Sequence, residues 1–305
     1  MQMNNESIIK RLEKPKGPVD VVLDTDTYNE IDDQYALSFL VKSHKKLKLK
    51  ALYAAPFSNN KAAGPEEGME KSFDEIMNLL TLLKREDLKS LVYKGSRQYL
   101  PSETEPVASP AAEHLVALAQ GYSQENPLYV IAIGAITNVA SALLMAPEIA
   151  NKIVLIWLGG NAHQWPSNAE FNLRQDVAAA RIVFGCGVPL VQLPCMGVVS
   201  AFTTTGPELT HWLRGKNELC DYLVDVTTKE AIREQGDGAW SRAIWDVTAV
   251  AWLLEGDYML DRLEHSPIPQ YDHHYSFDNT RHLMRYVYHI NRDKLFEALF
   301  TTLAQ

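Results

Sequence analysis

The sequence contains few cysteines, and these are widely spaced. Only three occur among 305 residues, at Cys186, Cys195 and Cys220. An odd number without paired spacing predicts neither a disulfide framework nor a zinc site built from cysteine pairs. We therefore expect three free thiols in a reduced, intracellular protein.

Long apolar runs and an excess of positive charge are also absent. No run approaches the roughly 18 apolar residues that a membrane-spanning helix needs, and residues 1–18 contain no apolar core of signal-peptide length. The formal net charge is −9, whereas binding to nucleic acid polymers or anionic membranes is favoured by clustered lysine and arginine. These absences predict a soluble, cytoplasmic protein whose partner is a small molecule or a cation.

What the sequence does contain is an alternation of strand-length apolar runs and helical patterns. The runs are VDVVL, LKLKALYAA, LYVIAI, KIVLIWL and PLVQL, with helical patterns between them. This order predicts an α/β fold with a mostly parallel central sheet flanked by helices. We expect a single domain over residues 1–305 with a helical elaboration at about 206–260, because no Pro/Gly/Ser-rich linker separates that region.

Polar side chains collect where the predicted strands end. Asp24, Asp26, Asp32 and Asp33 follow the first strand, and the segments PFSNN, GAITN and GGNAHQWPSNAEFN follow later strands. Ligands of parallel sheets bind at the carboxyl ends of the strands, and this oxygen-rich set suits Ca²⁺ or Mg²⁺ better than zinc. The alternative is that Asp32 and Asp33 only cap the next helix, where its dipole favours negative charge.

One resemblance of the acidic stretch is to phosphatases of the haloacid dehalogenase type. VVLDTDT resembles their opening, in which the first aspartate, here Asp24, is phosphorylated, and EGDYMLD resembles their distal motif. Two features count against it. Tyr28 stands where that family has Thr or Val, and the distal segment reads as helical rather than following a strand.

A second resemblance covers more of the chain. DTD…IDDQYAL is similar to the opening of the nucleoside hydrolase family, the inosine-uridine preferring N-ribohydrolases. IGAITNVASAL, LGGN…AEFN and AIWDVTAVAWLL resemble further motifs of that family in the same order. The resemblance implies the Rossmann-like fold of that family and hydrolysis of the N-glycosidic bond of ribonucleosides or a related N-riboside.

The resemblance also implies roles for individual residues. A Ca²⁺ would be held by Asp26, Asp33, the backbone carbonyl of Ile133 and Asp246, with Asp26 also acting as general base. Polar side chains of the same loops would bind the sugar and the rest of the substrate, namely Asp32, Asn59, Asn168, Glu170 and Asn172.

The sequence departs from the family pattern in its first loop and at the expected acid. The loop DTDTYNEIDD is two residues longer than the pattern and inserts Tyr28, Asn29 and Glu30. Trp245 stands where many members carry the histidine that protonates the leaving base. Because Trp has no titratable proton, it either stacks on the base or only packs. Other candidate acids are His163, His273, His274 and Glu30.

We therefore expect a Ca²⁺-dependent nucleosidase that acts in purine or pyrimidine salvage. Its partner would be a nucleoside or other N-riboside, and we expect a homodimer or homotetramer. The alternative from another class is a non-catalytic nucleoside- or ribose-binding protein that keeps the pocket but has lost the acid.

Overall fold

A central sheet of eight strands forms the middle layer of the molecule. The computed structural model describes residues 5–305, so the first four residues of the predicted domain 1–305 lie outside the described residues. The strands, including two separate pairs of two-residue strands, are β1 (Val19–Thr25), β2 (Leu47–Ala54), β3 (Val92–Lys94), β4 (Leu128–Ala132), β5 (Ile153–Leu158), β6 (Leu190–Leu193), β7 (Thr203–Thr204), β8 (Arg242–Ala243), β9 (Met259–His265), β10 (Ile268–Pro269), β11 (Tyr275–Ser276) and β12 (Leu283–Ile290).

The main sheet has the strand order β3-β2-β1-β4-β5-β6-β12-β9. All neighbouring pairs in it are parallel except β9 and β12. Every residue of β4, β5 and β6 is buried, because elements cover both faces of the sheet. This explains why these strands read as continuous apolar runs, and the prediction of a mostly parallel sheet flanked by helices is confirmed.

Helices connect the strands and cover the sheet. Within residues 5–305, no helix is long and apolar enough to cross a membrane. The α-helices are α1 (Asn5–Arg11), α2 (Asp32–Lys42), α3 (Pro65–Leu82), α4 (Pro110–Ala119), α5 (Thr137–Met145), α6 (Phe171–Gln175), α7 (Val177–Gly185), α8 (Gly206–Leu213), α9 (Glu218–Gln235), α10 (Val247–Trp252) and α11 (Arg292–Ala304). Short 3₁₀ helices occupy Glu86–Leu91, Pro147–Asn151 and Val199–Ala201.

The hydrophobic core lies on both faces of the sheet. Successive strand residues point to opposite faces, so Val21 and Leu23 pack in one core cluster whereas Val22 packs in the other. α2, α3, α10 and α11 supply the first cluster, and α4, α5 and α7 supply the second. The polar loops follow the carboxyl ends of the strands, at the edge of the sheet between these two core layers.

The end of the predicted helical region differs from the prediction. The pattern DVTAVAWLLEGDYMLD reads as helical, but α10 ends at Trp252 and β9 begins at Met259. β9 is the antiparallel edge strand of the sheet and pairs with β12. MLDRLEH mixes charged and apolar residues without a regular alternation, because an edge strand is only partly covered, and this hides the strand signal.

Helix α10 is important for the site because it packs against α2. α2 begins directly after the loop that follows β1, and α10 begins directly after Asp246. The amino ends of both helices therefore meet at the carboxyl edge of the sheet. This contact brings Asp246 to Asp32 and Asp33, which lie more than 200 positions earlier in the chain.

Candidate active site

A cavity of about 360 Å³ lies at the carboxyl edge of the sheet. Its walls come from the loops after β1, β4, β5 and β6 and from the residues that precede α10. The residues that line it are Asp26, Asn29, Glu30, Asp32, Asp33, Ile133, Leu158, Asn161, Ala169, Glu170, Phe171, Asn172, Arg174, Cys195, Met196, Trp245 and Asp246.

Buried carboxylates form one wall of the cavity. One carboxylate oxygen from each of Asp32, Asp33 and Asp246 lies within 4.8 Å of the others, which is close enough for all three to hold one metal ion. Asp246 is in hydrogen-bonding contact with both Asp32 and Asp33. None of the three forms a salt bridge to a lysine, arginine or histidine of residues 5–305. Like charges this close require a proton or a cation between them.

The pKa values of these aspartates reflect the same repulsion between neighbouring carboxylates. Burial, followed by the charge of neighbouring carboxylates, raises the pKa of Asp32 to about 7. Burial also raises the pKa of Asp33 to about 7, although a hydrogen bond from Thr25 opposes the shift. The pKa of Asp246 is raised well above its ordinary value by burial and by Asp32 and Asp33. Without a cation, the cluster therefore retains protons near neutral pH.

Asp26 lies beside this group of three. Burial and then the charges of Asp33 and Asp32 raise its pKa well above the ordinary value. Its Oδ2 is buried without a hydrogen-bond partner among the described residues. A Cβ atom at Gly134 would lie 3.1 Å from Asp26 Cγ, so a larger residue there would push against this carboxylate. Ile133, directly before Gly134, also lines the cavity.

Glu170 and Asn172 line the cavity, but much of their hydrogen-bonding capacity serves the backbone. The Glu170 carboxylate caps α6, accepting from the N–H groups of Asn172 and Leu173, and it also accepts from Gly160 N–H at 2.8 Å. Asn172 Nδ2 donates to the Leu158 carbonyl at 3.0 Å and to the Ile133 carbonyl at 3.4 Å. These bonds fix both side chains at the cavity wall.

Three predicted site residues do not line the cavity. His163 is buried between Gln192 and Glu264, and burial lowers its pKa. Asn168 Oδ1 accepts from the Asn161 N–H at 2.8 Å, under the loop after β5. Asn59 lies behind the first loop, where its Nδ2 donates to Asn29 Oδ1 at 2.7 Å. Among the other candidate acids, His273 and His274 also lie outside the cavity lining.

Trp245 and Glu30 do line the cavity. Trp245 is partly buried and packs against the core as well. Glu30 Oε2 lies 3.3 Å from Arg242 Nη2, and Arg242 also pairs with Glu234. Burial and the charge of Asp32 raise the pKa of Glu30 to about 7, whereas Arg242 opposes the shift.

Asp24, the nucleophile in the phosphatase alternative, does not line the cavity. It is fully buried, and its Oδ1 accepts a hydrogen bond from Asn138 Nδ2 at 2.8 Å. Burial raises its pKa to about 7. Because a nucleophile must reach its substrate, this position speaks against phosphotransfer through Asp24.

Sequence reasoning missed several cavity residues. Cys195 and Met196 follow β6, and applying the rule of strand carboxyl ends to that strand would have found them. Asn161 stands directly after the Gly-Gly pair that follows β5. Asn29 lies in the insertion, where no motif marks its role. Phe171 and Arg174 belong to α6 and also line the cavity.

Comparisons with known proteins agree with this geometry. The family model of the inosine-uridine preferring nucleoside hydrolases matches residues 21–296. The pyrimidine-specific ribonucleoside hydrolase RihA of Salmonella enteritidis PT4 is 31% identical in an alignment of 258 positions, with coverage of 77% of this chain and 79% of that protein.

Solved structures of low sequence identity share the fold. A plant nucleoside hydrolase superposes with a TM-score of 0.75 at 21% identity, covering 94% of this chain and 99% of that one. A purine-preferring ribonucleoside hydrolase from Gardnerella vaginalis gives a TM-score of 0.74 at 19% identity, with coverage of 93% and 98%.

Proposed function

The chain belongs to the inosine-uridine preferring nucleoside hydrolase family and is an N-ribosyl hydrolase, and from this premise we propose that Ca²⁺ completes its acidic site. The resemblance identified from the sequence motifs is thereby confirmed. The observation that carries the calcium proposal is the buried group Asp32, Asp33 and Asp246, whose carboxylates converge without a salt bridge from the described residues.

The residues present fit a hard divalent cation. Asp33 and Asp246 of the converging group would hold it together with Asp26 and the Ile133 carbonyl, as the family resemblance implies, and Asp32, the third member of the group, would face the sugar. The orphaned Asp26 Oδ2 supports this assignment, because a buried carboxylate oxygen without a partner is costly unless a cation or proton satisfies it. All of these ligands are oxygens, which Ca²⁺ prefers, and among the described residues no histidine lines the cavity.

Asp26 is our proposed general base. A bound Ca²⁺ would keep the carboxylates ionised and would lower the pKa of a water molecule in the cavity. Asp26 then takes the proton of the water that attacks C1′ of the ribose. Its position beside Gly134 supports this role, because the side chain is held in a fixed place at the cavity wall.

The other side chains of the cavity would hold the sugar. Asp32 accepts a hydrogen bond from a ribose hydroxyl, and Asn172 and Glu170 contact other hydroxyls. The negative charge of the cluster also stabilises the positive charge that develops on the sugar as the N-glycosidic bond breaks. We propose that Trp245 stacks on the departing base, since it lines the cavity and cannot donate a titratable proton.

Glu30 is the candidate acid that lines the cavity. His163, His273 and His274 lie outside the cavity lining, and we assign them no catalytic role. Asn59 and Asn168 likewise lie behind the cavity wall and would act only through the residues that they contact. The relatives differ in base preference, one being named pyrimidine-specific and another purine-preferring, so we propose a ribonucleoside substrate without naming its base.

We also propose that the enzyme acts in the cytoplasm, in purine or pyrimidine salvage, as a homodimer or homotetramer. These proposals rest on the sequence composition and on the family resemblance, together with the general frequency of closed homo-oligomers. Size-exclusion chromatography coupled to light scattering measures the oligomeric state directly.

The first prediction concerns calcium dependence. Protein stripped with a chelator should lose base release from uridine and inosine and release of nitrophenol from p-nitrophenyl riboside. Added Ca²⁺ should restore both reactions, because the ionised cluster is needed for every substrate. Full activity of the stripped protein would contradict the calcium proposal. Riboside binding without any release would instead favour the non-catalytic alternative.

A further inference from the structure

Asn29, in the insertion of the first loop, carries an amide donor that has no hydrogen-bond partner within residues 5–305. Its side chain is 7% exposed and lines the cavity. Its backbone N–H donates to the Asp26 carbonyl at 2.7 Å, which places it within one turn of the proposed general base. Its Nδ2 donates to no atom of the described residues. This nitrogen is accessible from the cavity, so a bound ligand can accept a hydrogen bond from it in place of solvent.

Two neighbouring residues fix the orientation of this amide. Asn59 Nδ2 donates to Asn29 Oδ1 at 2.7 Å, so the oxygen of Asn29 faces Asn59 and its NH₂ group faces the other way. The Lys61 backbone N–H in turn donates to Asn59 Oδ1 at 2.8 Å, which fixes the amide of Asn59. A flipped Asn29 amide would put two NH₂ groups against each other. Asn59 and Lys61 are therefore positioning residues for the Asn29 donor.

Two cationic side chains, Lys61 and Arg242, contact residues of the first loop next to this donor. Lys61 Nζ lies 2.8 Å from the Asn29 carbonyl and 2.9 Å from Glu230 Oε1. Arg242 pairs with Glu30, the next residue of the insertion, and so partly neutralises its charge. Both cations are themselves paired with glutamates, so the group on this side of the cavity that can stabilise an anion is the N–H donor of Asn29.

We propose that Asn29 Nδ2 donates a hydrogen bond to the departing base and stabilises the negative charge that develops on it. The proposal rests on the proposed function and names the residue that activates the leaving group. The C1′–N bond breaks with its electron pair going to the base, the oxygen of water bonds to C1′, and the proton of that water passes to Asp26. The base leaves as an anion held by the Asn29 amide and takes its proton from solvent.

The departing group is preferred over a ribose hydroxyl as the partner of this donor. Ribose hydroxyls can donate to the carboxylates that dominate the cavity, so their binding does not depend on this donor, although their oxygens can also accept. Carbonyl oxygens and ring nitrogens of a nucleobase are acceptors, and their negative charge grows as the bond breaks. A donor that strengthens its bond in the transition state contributes to rate rather than to substrate binding alone.

The test compares leaving groups in a variant that keeps the shape of the side chain. In Asn29→Asp, the oxygen that accepts from Asn59 is retained, whereas the NH₂ donor is replaced by a carboxylate oxygen. We expect kcat/KM for uridine and inosine to fall by about 100-fold or more. For p-nitrophenyl riboside, whose anion needs little stabilisation, we expect a fall of less than about 5-fold. The plot of log kcat against leaving-group pKa should become steeper.

Two further variants separate this role from a structural one. Asn59→Asp keeps the acceptor for Lys61 but loses the donor that orients Asn29. This variant should show part of the selective loss of nucleoside turnover. In the double variant with Asn29→Asp, the two losses should not add. Asn126→Asp makes the same chemical change at an exposed position before β4 and should leave both substrates unaffected. Thermal unfolding of each variant shows whether it is folded.

Equal losses for nucleosides and p-nitrophenyl riboside in folded Asn29→Asp would overturn the proposal, since the side chain would then act on the sugar or on the general base. Unchanged turnover of both would overturn it too. A wild-type protein that turns over neither substrate with Ca²⁺ present would overturn the proposed function itself, and this inference with it.

Discussion

At the scale of single residues, the site depends on close contacts that leave little room for a larger side chain. Gly134 follows β4 directly after Ile133, and the Asp26 carboxylate packs against its Cα. An added Cβ would lie 3.1 Å from both Asp26 Cγ and Ala55 Cβ. Because Asp26 is fully buried, it cannot move away without disturbing the rest of the cluster.

Substitution of Gly134 by alanine should therefore displace Asp26 and lower activity. The neighbours must shift by a few tenths of an ångström, so we expect kcat to fall by about 10-fold, less than the roughly 100-fold loss that a misplacement of about 1 Å causes. Steady-state kinetics with p-nitrophenyl riboside measures it. Gly64→Ala is the matched control, since a Cβ there meets nothing within 4 Å and its φ of −167° suits any residue. Wild-type kcat in Gly134→Ala would show that Asp26 is not positioned by this contact.

At the scale of helices and strands, the site is assembled where elements begin and end. Asp32 and Asp33 open α2, Asp246 precedes α10, and Glu170 caps α6. Helix amino ends favour negative charge, so the same carboxylates stabilise the helices and form the cavity. Asp32 and Asp33 do not cap α2, because its N-cap residue is Ile31 and no side chain caps that end, but their place in its first turn is compatible with the proposed ligand and sugar-binding roles.

The cap of α6 can be tested separately from catalysis. Glu170→Ala leaves the N–H groups of Gly160, Asn172 and Leu173 without their acceptor. We expect the free energy of unfolding to fall by about 2 kcal/mol and KM to rise, because Asn172 loses its fixed position. Urea denaturation and steady-state kinetics measure the two effects. Glu170→Gln keeps one acceptor oxygen and should lose less. A fully stable Glu170→Ala would refute the capping account.

Sequence patterns predict best the strands that are buried on both faces. β4, β5 and β6 are covered on both faces, so each is one apolar run. β3 has only three residues, and β9 is a partly exposed edge strand, so neither produces such a run. The acidic loop after β1 stands out as a cluster in the sequence. The role proposed for Asn29 is not visible in the sequence, because it depends on contacts with Asn59 and Lys61, which lie 30 and 32 positions away.

At the scale of the whole molecule, the acidic cluster links stability to pH and to cations. Burial raises the pKa of Asp32 and Asp33 from 3.8 to about 7 in the folded protein. The unfolded chain ionises near its ordinary pKa, so the folded state binds more protons between about pH 4 and 7. Without a cation, the contribution of these groups to stability therefore falls as pH rises through this range. A bound cation would replace the protons and remove this loss of stability at higher pH.

The most direct test of the central claim is calorimetric titration of the stripped protein with Ca²⁺ between pH 5 and 8. We predict one ion per chain, an affinity that rises with pH, and release of protons near pH 6.5, measured in buffers that differ in ionisation enthalpy. Asp246→Asn should weaken binding by at least about 100-fold, because it removes one ligand of a converging set. No Ca²⁺ binding by the wild-type protein, or equal binding by Asp246→Asn, would contradict the account.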